Sequence, residues 1–311
     1  MKPELFEVIV VGGGPAGLTA ALYLARYRRS VLVLHDEQSR ALRIPKTYNV
    51  PGYPKGISGT ALIRRMTDHA VEYGALIEKA EIRAAQRSNG AFVLPSTDGR
   101  SWKSRALILA TGIRLNQVDL PRKVHEAAIR ADILRYCPVC DGYEHIDKRI
   151  GVVGCDSNGA AEALFLRQYS RDITLMPLSH SELSKEQVAE LDDAGIAVVR
   201  GALRSLSPQD DRMDVLLDGQ DDPLSFDVLY PALGTRPRSE LAAGLGVAVD
   251  DDGCIPAGAP EETSVSGLFA AGDVVEGLDQ ISAAIGHGAL AGTNAHNWLR
   301  DCDRHSLQAR E

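Results

Sequence analysis

Two cysteines three positions apart stand in "RYCPVCDGYE", residues 135–144. Cys137 and Cys140 can close a small disulfide ring. Helical backbone after Cys137 would turn its positive end toward that thiol and lower the thiol pKa. A thiolate attacks disulfides, whereas a thiol does so very slowly. Asp141 follows directly, and a carboxyl beside a dithiol can protonate a leaving thiolate or deprotonate an attacking thiol. Pro138 removes a backbone donor and restricts the loop. The remaining cysteines, Cys155, Cys254 and Cys302, bring the total to five. Such an odd, sparse set builds no secreted disulfide scaffold, and a close pair in a reducing compartment is more often catalytic or metal-binding. Zinc needs two further ligands, and no second C-x-x-C or H-x-x-x-H supplies them, so no metal is expected.

Redox cysteines need an electron source, and the N-terminus supplies a place for one. "FEVIVVGGGPAGLTAALYLARYRRSVLVLHDE" reads as strand, glycine turn, helix and second strand. Val8–Val11 is an apolar run suited to a buried parallel strand. Gly12 allows the tight turn, Gly14 lets backbone approach a pyrophosphate, and Gly17 lets helix and strand pack closely. The helix, expected from about Pro15 through Ala16 to Arg28, aims its positive end at phosphate. An acid for the adenine ribose should close the second strand, Val31–Leu34. Strict spacing puts His35 there; Asp36 is favoured because a carboxylate can accept from both ribose hydroxyls. The three arginines of "RYRRS" at the helix end are explained by the helix dipole.

Near the other end, Leu268–Ala271 is a short apolar strand ending in Gly272-Asp273. It resembles the second FAD signature of two-dinucleotide-domain flavoproteins, in which the Asp accepts from a ribityl hydroxyl. A helix is expected to start near Gln280–Ile281, its positive end toward the N1/O2 edge of a reduced flavin. "LILATG", ending in Ala110, Thr111 and Gly112, resembles a third marker of the same proteins. Together these imply a discontinuous FAD domain, residues 1–116 and 244–311, with a module of residues 117–243 inserted into it.

With 311 residues, the chain has room for two domains of ordinary size. A formal charge of −8 argues against nucleic acid or an anionic membrane surface. No apolar run approaches the roughly 20 residues that span a bilayer. "MKPELFEVIVVGGG" enters a strand at once and has no signal-peptide character, so a cytoplasmic protein is expected.

Taken together, "GGGPAG", "YNVPGYP", "CPVCDGYE" and "GLFAAGDV…DQISAAIGHGA" resemble the low-molecular-weight thioredoxin reductase family over nearly the whole chain. The resemblance implies an α/β fold of two Rossmann-like dinucleotide-binding domains, the second inserted into the first. It implies FAD as cofactor, Cys140 as the flavin-facing thiol, Cys137 as the interchange thiol and Asp141 as proton donor. Asn49 matches an asparagine at the flavin. A homodimer is implied, with a thioredoxin-like protein or a small disulfide or dithiol as partner.

The second glycine loop departs from that pattern. In "GVVGCDSNGAAEALFL", residues 151–166, the middle glycine is replaced by Asp156. Arg149–Val153 reads as a strand, Asn158–Tyr169 as a helix, Asp172–Met176 as the next strand, and "FDVLYPALG" resembles the family's closing strand. A negative charge about 5 Å from a phosphate costs roughly 3 kcal/mol at an effective dielectric near 20. The family's H-R-R clamp for a 2′-phosphate is replaced by "MPLSHSELSKE", and the first acid after the strand is Glu182. Ser157 and Asn158 could still donate to phosphate. The three absences argue against efficient NAD(P)H use. Four expectations follow. The first is a thioredoxin-reductase-like enzyme reduced by another carrier such as ferredoxin, and the second a dithiol oxidase passing electrons to oxygen. The others are an ordinary NADPH-dependent reductase and a flavin redox sensor. Cys155 reads as a buried filler or a redox switch, and His287 as a neighbour of the flavin, a contact to a partner subunit or a helix-surface residue.

Overall fold

The computed structural model describes residues 5–154, 157–176, 183–199, 201–256 and 263–303. The chain divides into two compact units, residues 1–114 with 236–311, and residues 115–235. The inserted unit therefore ends before the expected boundary at 243/244. The reason is packing: the helix Glu240–Gly244 buries Leu241 and Ala242 in the core of the first unit.

The first unit is built on a sheet whose parallel members run in the order Leu76–Lys79, Val31–His35, Leu5–Val11, Ser101–Leu109 and Leu268–Ala270. The start of Ser101–Leu109 also pairs antiparallel with Ala91–Pro95, which pairs with Gln86–Ser88. Alternate residues face opposite sides of a strand. Val8 and Val10 accordingly enter one apolar cluster, with Leu24, Val33 and Ala291, while Ile9 and Val11 enter another, with Leu34, Leu107 and Val274. Both faces are covered, as a parallel sheet requires. The expected helix at Pro15 runs Pro15–Arg26, two residues shorter than the sequence suggested, because Arg28 turns into left-handed backbone at φ 62°. Arg29 is not spent on the helix end: it donates to Glu7 and Asp303 at 2.7 and 3.2 Å. The helix Ile281–Cys302 lies against Pro15–Arg26 through Gly288 and Gly292, where a Cβ would meet the backbone oxygens of Ala16 and Ala20 at 2.2 and 2.9 Å.

The second unit repeats the plan on a smaller scale. Its parallel sheet runs Ala197–Val198, Ile173–Met176, Ile150–Val153 and Val228–Pro231. The helix Ser157–Leu166 follows the third of these strands in that order, and a three-stranded antiparallel sheet (Leu203–Pro208, Met213–Leu217, Leu224–Phe226) completes the unit. The fold is α/β, with two Rossmann-type domains. Among the described residues no helix is long and apolar enough to cross a membrane.

Candidate active site

Cys137 and Cys140 are joined in a disulfide, Cα to Cα 5.2 Å. Pro138–Asp141 forms a single helical turn with Cys137 at its start, and the amide of Cys140 donates to the carbonyl of Cys137 at 2.9 Å. Four residues make a weak dipole. The chain then tightens into the 3-10 turn Gly142–His145. Gly142 is needed there, since a Cβ would stand 2.9 Å from the ring of Tyr169.

What places this loop is an isolated parallel bridge between Leu134 and Leu229, with the amide of Arg135 donating to the carbonyl of Leu229 at 2.9 Å. The bridge sets Arg135 and Asp141 beside the buried strand Val228–Pro231. Tyr230 on that strand donates from its hydroxyl to Asp141 Oδ1 at 2.7 Å, and Arg135 Nε lies 3.4 Å from Oδ2. Burial pushes the Asp141 carboxyl up to about 6; Tyr230 and Arg135 oppose that rise, and Glu144 adds to it. Burial and the Asp141 charge push the Tyr230 phenol far up. His145 sits edge-on to Tyr230 with ring centres 5.9 Å apart. It is pushed down to about 4 by burial and by Arg135 and Lys148, against a smaller opposing pull from Asp227. Arg135 is also paired with Asp132. Sequence reading found Asp141 but missed Tyr230, Arg135 and His145. The available signal was one hydroxyl in an otherwise apolar buried strand, which needs a partner.

The residues expected to hold FAD all fall in the first unit. A Cβ on Gly12, at φ 125°, would stand 2.0 Å from the carbonyl oxygen of Ala110, and one on Gly17 would stand 2.0 Å from the oxygen of Gly12. Gly14 precedes the helix, Pro15 is its first residue, and no side chain caps it. A Cβ on Gly272 would lie 2.8 Å from that of Ala16. Thr111 donates to the carbonyl of Arg238 at 2.7 Å, and the amide of Arg238 donates to that of Gly112 at 2.9 Å. The Arg238 guanidinium in turn donates to Asp36 Oδ2 at 2.5 Å, while Asp36 Oδ1 accepts from the amide of Gln38 at 3.0 Å. Burial raises the Asp36 carboxyl, and Arg238 with Gln38 more than reverses this. Both Asp36 oxygens are thus engaged. His35 ends the strand with its Cβ close against Gly13.

Asn49 donates to the side-chain oxygen of Gln280 at 2.9 Å and accepts from Thr47 at 2.8 Å. Gln280 immediately precedes the helix that begins at Ile281. Asp273 lies 3.3 Å from Arg40, which also faces Asp279 at 3.8 Å. Burial raises Asp273 against Arg40 and His287, and burial together with Asp273 lifts Asp279 to about 6. Among the described residues His287 Nδ1 is buried with no hydrogen-bond partner. Arg40, Asp279 and Arg238 were not foreseen, because nothing in their local sequence marks them.

In the second glycine loop, Gly154 and Gly159 are packed face to face, the Cβ of either meeting backbone of the other at 3.0–3.2 Å. The close helix–strand contact is therefore kept. Cys155, Asp156, Glu182 and most of the segment after Met176 lie outside the described residues.

A family model described as pyridine nucleotide-disulphide oxidoreductase matches residues 6–288. The chain is 30% identical over 311 residues to a thioredoxin reductase of Mycolicibacterium smegmatis, covering 96% of this chain and 97% of that one. It is 28% identical over 312 residues to a 34.2 kDa protein in the rubredoxin operon of Clostridium pasteurianum, covering 96% and 99%. The thioredoxin reductase structure from Streptococcus pyogenes MGAS5005 superposes with TM-score 0.87 over 96% of this chain and 99% of that chain, at 24% identity, a likeness of fold.

Proposed function

Because the chain belongs to the pyridine nucleotide-disulphide oxidoreductase family and is an FAD-dependent disulfide oxidoreductase of the thioredoxin reductase kind, we propose that it exchanges electrons between Cys137–Cys140 and an outside disulfide or dithiol with little use of NAD(P)H. The observation that carries the exchange is the closed Cys137–Cys140 bond next to a buried carboxyl with a pKa of about 6. A group titrating there can give and take protons near neutral pH. In one direction, a thiolate of an outside dithiol attacks Cys137 Sγ, forming a mixed disulfide. The Cys137–Cys140 bond breaks, and Cys140 leaves with a proton from Asp141. The second outside thiol then closes the external disulfide and releases Cys137 as a thiol. One outside dithiol becomes a disulfide and the protein disulfide becomes two thiols; reversing the steps reduces a thioredoxin-like protein or small disulfide.

FAD, when bound, supplies the two-electron store that restores the cysteine pair. The residues present fit it. Gly12 and Gly17 let the turn and the first helix close against backbone that leaves no room for a Cβ, and the helix at Pro15 offers uncapped amides to a pyrophosphate. Asp273 offers a buried carboxylate toward a sugar hydroxyl, and Ala110, Thr111, Gly112 and Gly272 shape the adjoining turns. Asn49, Gln280 and Ile281 form the helix entrance. Asp36 would serve the adenine ribose only if it shares its carboxylate with Arg238.

Weak NAD(P)H use rests on Asp156 and on the missing arginines after Met176. Another carrier such as ferredoxin as donor belongs to the proposal in the reducing direction and oxygen as acceptor to the alternative, opposite direction; a homodimeric state and a cytoplasmic setting go with either. Anaerobic mixing of the oxidised holoprotein with NADPH, NADH or a dithiol, followed by flavin absorbance, tests it. Bleaching by dithiol alone is expected, and Cys140→Ser should abolish that bleaching while retaining FAD. Rapid bleaching by micromolar NADPH would overturn the nicotinamide part, and unchanged dithiol bleaching in Cys140→Ser would overturn the cysteine assignment.

A further inference from the structure

Tyr230 occupies a strand position where an apolar side chain would fill the core equally well: Val228, Leu229 and Pro231 around it are all buried. A buried hydroxyl needs a partner, and many finds one in a backbone carbonyl. Here the partner is the carboxyl adjacent in sequence to the redox disulfide, reached at 2.7 Å. Among the described residues this is the one hydrogen bond the Asp141 side chain accepts; Arg135 approaches Oδ2 at 3.4 Å without hydrogen-bond geometry.

We propose that Tyr230 is the positioning residue of the dithiol centre, fixing the Asp141 carboxyl in one orientation and favouring its anion over its acid. This rests on Asp141 acting as the proton donor and acceptor of the cysteine pair. With Oδ1 held by the phenol, Oδ2 is the oxygen that carries the exchanged proton. The groups facing Asp141 are Tyr230 from the closing strand, Arg135 from the segment before the cysteines and Glu144 from the 3-10 turn. His145 packs on the Tyr230 ring and Asp132 holds Arg135. Arg135 and Tyr230 both favour the anion and Glu144 opposes it, so burial, the largest influence, is set against a short list of named partners. A hydrogen bond donated to a carboxylate stabilises the charged form, so removing the donor raises the pKa of the acid.

The test follows reduction of Cys137–Cys140 by dithiothreitol in the holoprotein from pH 5 to 9, with acid quenching and maleimide mass-tagging of the released thiols. Rates are divided at each pH by those of the same reagent with a small soluble disulfide, so that the ionisation of the reagent cancels and the native profile keeps its own inflection. Asp141→Asn should remove an inflection near pH 6. Tyr230→Phe, which keeps the ring and deletes only the oxygen, should move that inflection upward by about one pH unit, close to tenfold in the acid–base ratio. Fluorotyrosine at position 230, a stronger donor on the same ring, should move it downward, and it keeps the test open if the phenylalanine variant folds poorly. Opposite shifts from the two substitutions are not expected of a side chain that only fills space. Loss of the inflection in Asp141→Asn, with both Tyr230 variants superimposable on the native profile or lowered equally at every pH, would overturn the role of Tyr230 alone. An inflection that survives Asp141→Asn would overturn the underlying role of Asp141.

Discussion

Adding one methyl group at Gly17 should displace the first helix and weaken FAD binding. The ideal Cβ at this position falls 2.0 Å from the carbonyl oxygen of Gly12 and 3.2 Å from Val10 Cγ1, whereas ordinary contact begins near 3.4 Å. The obstruction is backbone in the glycine turn itself, so no rotamer change relieves it. Helix Pro15–Arg26 must retreat from strand Leu5–Val11 by roughly an ångström, or the turn must open. Overpacking of this kind costs about 1–3 kcal/mol. In a unit of this size that corresponds to a fall in Tm of about 2–10 °C. Retreat also withdraws the uncapped amides meant for the pyrophosphate, and loss of about 1.4 kcal/mol or more there lowers affinity at least tenfold. Gly14→Ala is the internal comparison: its backbone is ordinary, and its Cβ would meet only the Ser39 hydroxyl at 3.2 Å. Thermal melts of the apoprotein should therefore rank native, then Gly14→Ala, then Gly17→Ala, while flavin occupancy and fluorescence titration with FAD should fall in both variants. A Gly17→Ala protein that purifies with full flavin and melts with the native protein would refute the steric reasoning, as would a Gly14→Ala apoprotein that melts lower than Gly17→Ala.

Asp156→Gly should tighten NADPH binding by up to about a hundredfold, the equivalent of removing roughly 3 kcal/mol of repulsion at an effective dielectric near 20. Titration of nucleotide fluorescence measures it, and equal affinities would absolve the carboxylate. Asp141→Asn should change the pH dependence of stability. Burial raises this carboxyl from its ordinary 3.8 to about 6, so the folded chain holds a proton that the unfolded chain releases between those values. The stability of the neutral acid is complete below pH 3.8 and lost as pH rises through about 6. The amide, always neutral, should therefore exceed the native protein by up to about 3 kcal/mol at pH 8 and by little near pH 3.5. Urea unfolding at the two pH values checks this, and coincident curves at pH 8 would refute it.

The fold was readable because each glycine turn is bracketed by a short apolar strand and an alanine-rich helix. Those patterns are local, and the observed Ile150–Val153, Ile173–Met176 and Leu268–Ala270 fall within a residue or so of the expected strands. The redox pair and the acid beside it were equally plain, since Cys137, Cys140 and Asp141 stand within five consecutive positions. Tyr230 and Arg135 were hidden because one isolated bridge, Leu134 to Leu229, brings together segments far apart in sequence. Arg40 and Asp279 meet Asp273 for a similar reason, through tertiary proximity that no spacing rule encodes. The late boundary at 243/244 arose because Leu241 and Ala242 look like any short helix until the core that receives them is known.

The pairing of Leu268–Ala270 with Ser101–Leu109, and of the last helix with the first, has a consequence for synthesis. A growing chain leaves the ribosome with its first glycine turn made early and the surface meant to support it absent until about residue 300 has emerged. The contiguous middle unit can complete its own sheet while the outer one waits, with loop closure across more than a hundred residues still to come. Flavin capture is thereby expected only once the helix Ile281–Cys302 has emerged. A nascent chain stalled before Ile281 should carry a finished cysteine module and no chromophore.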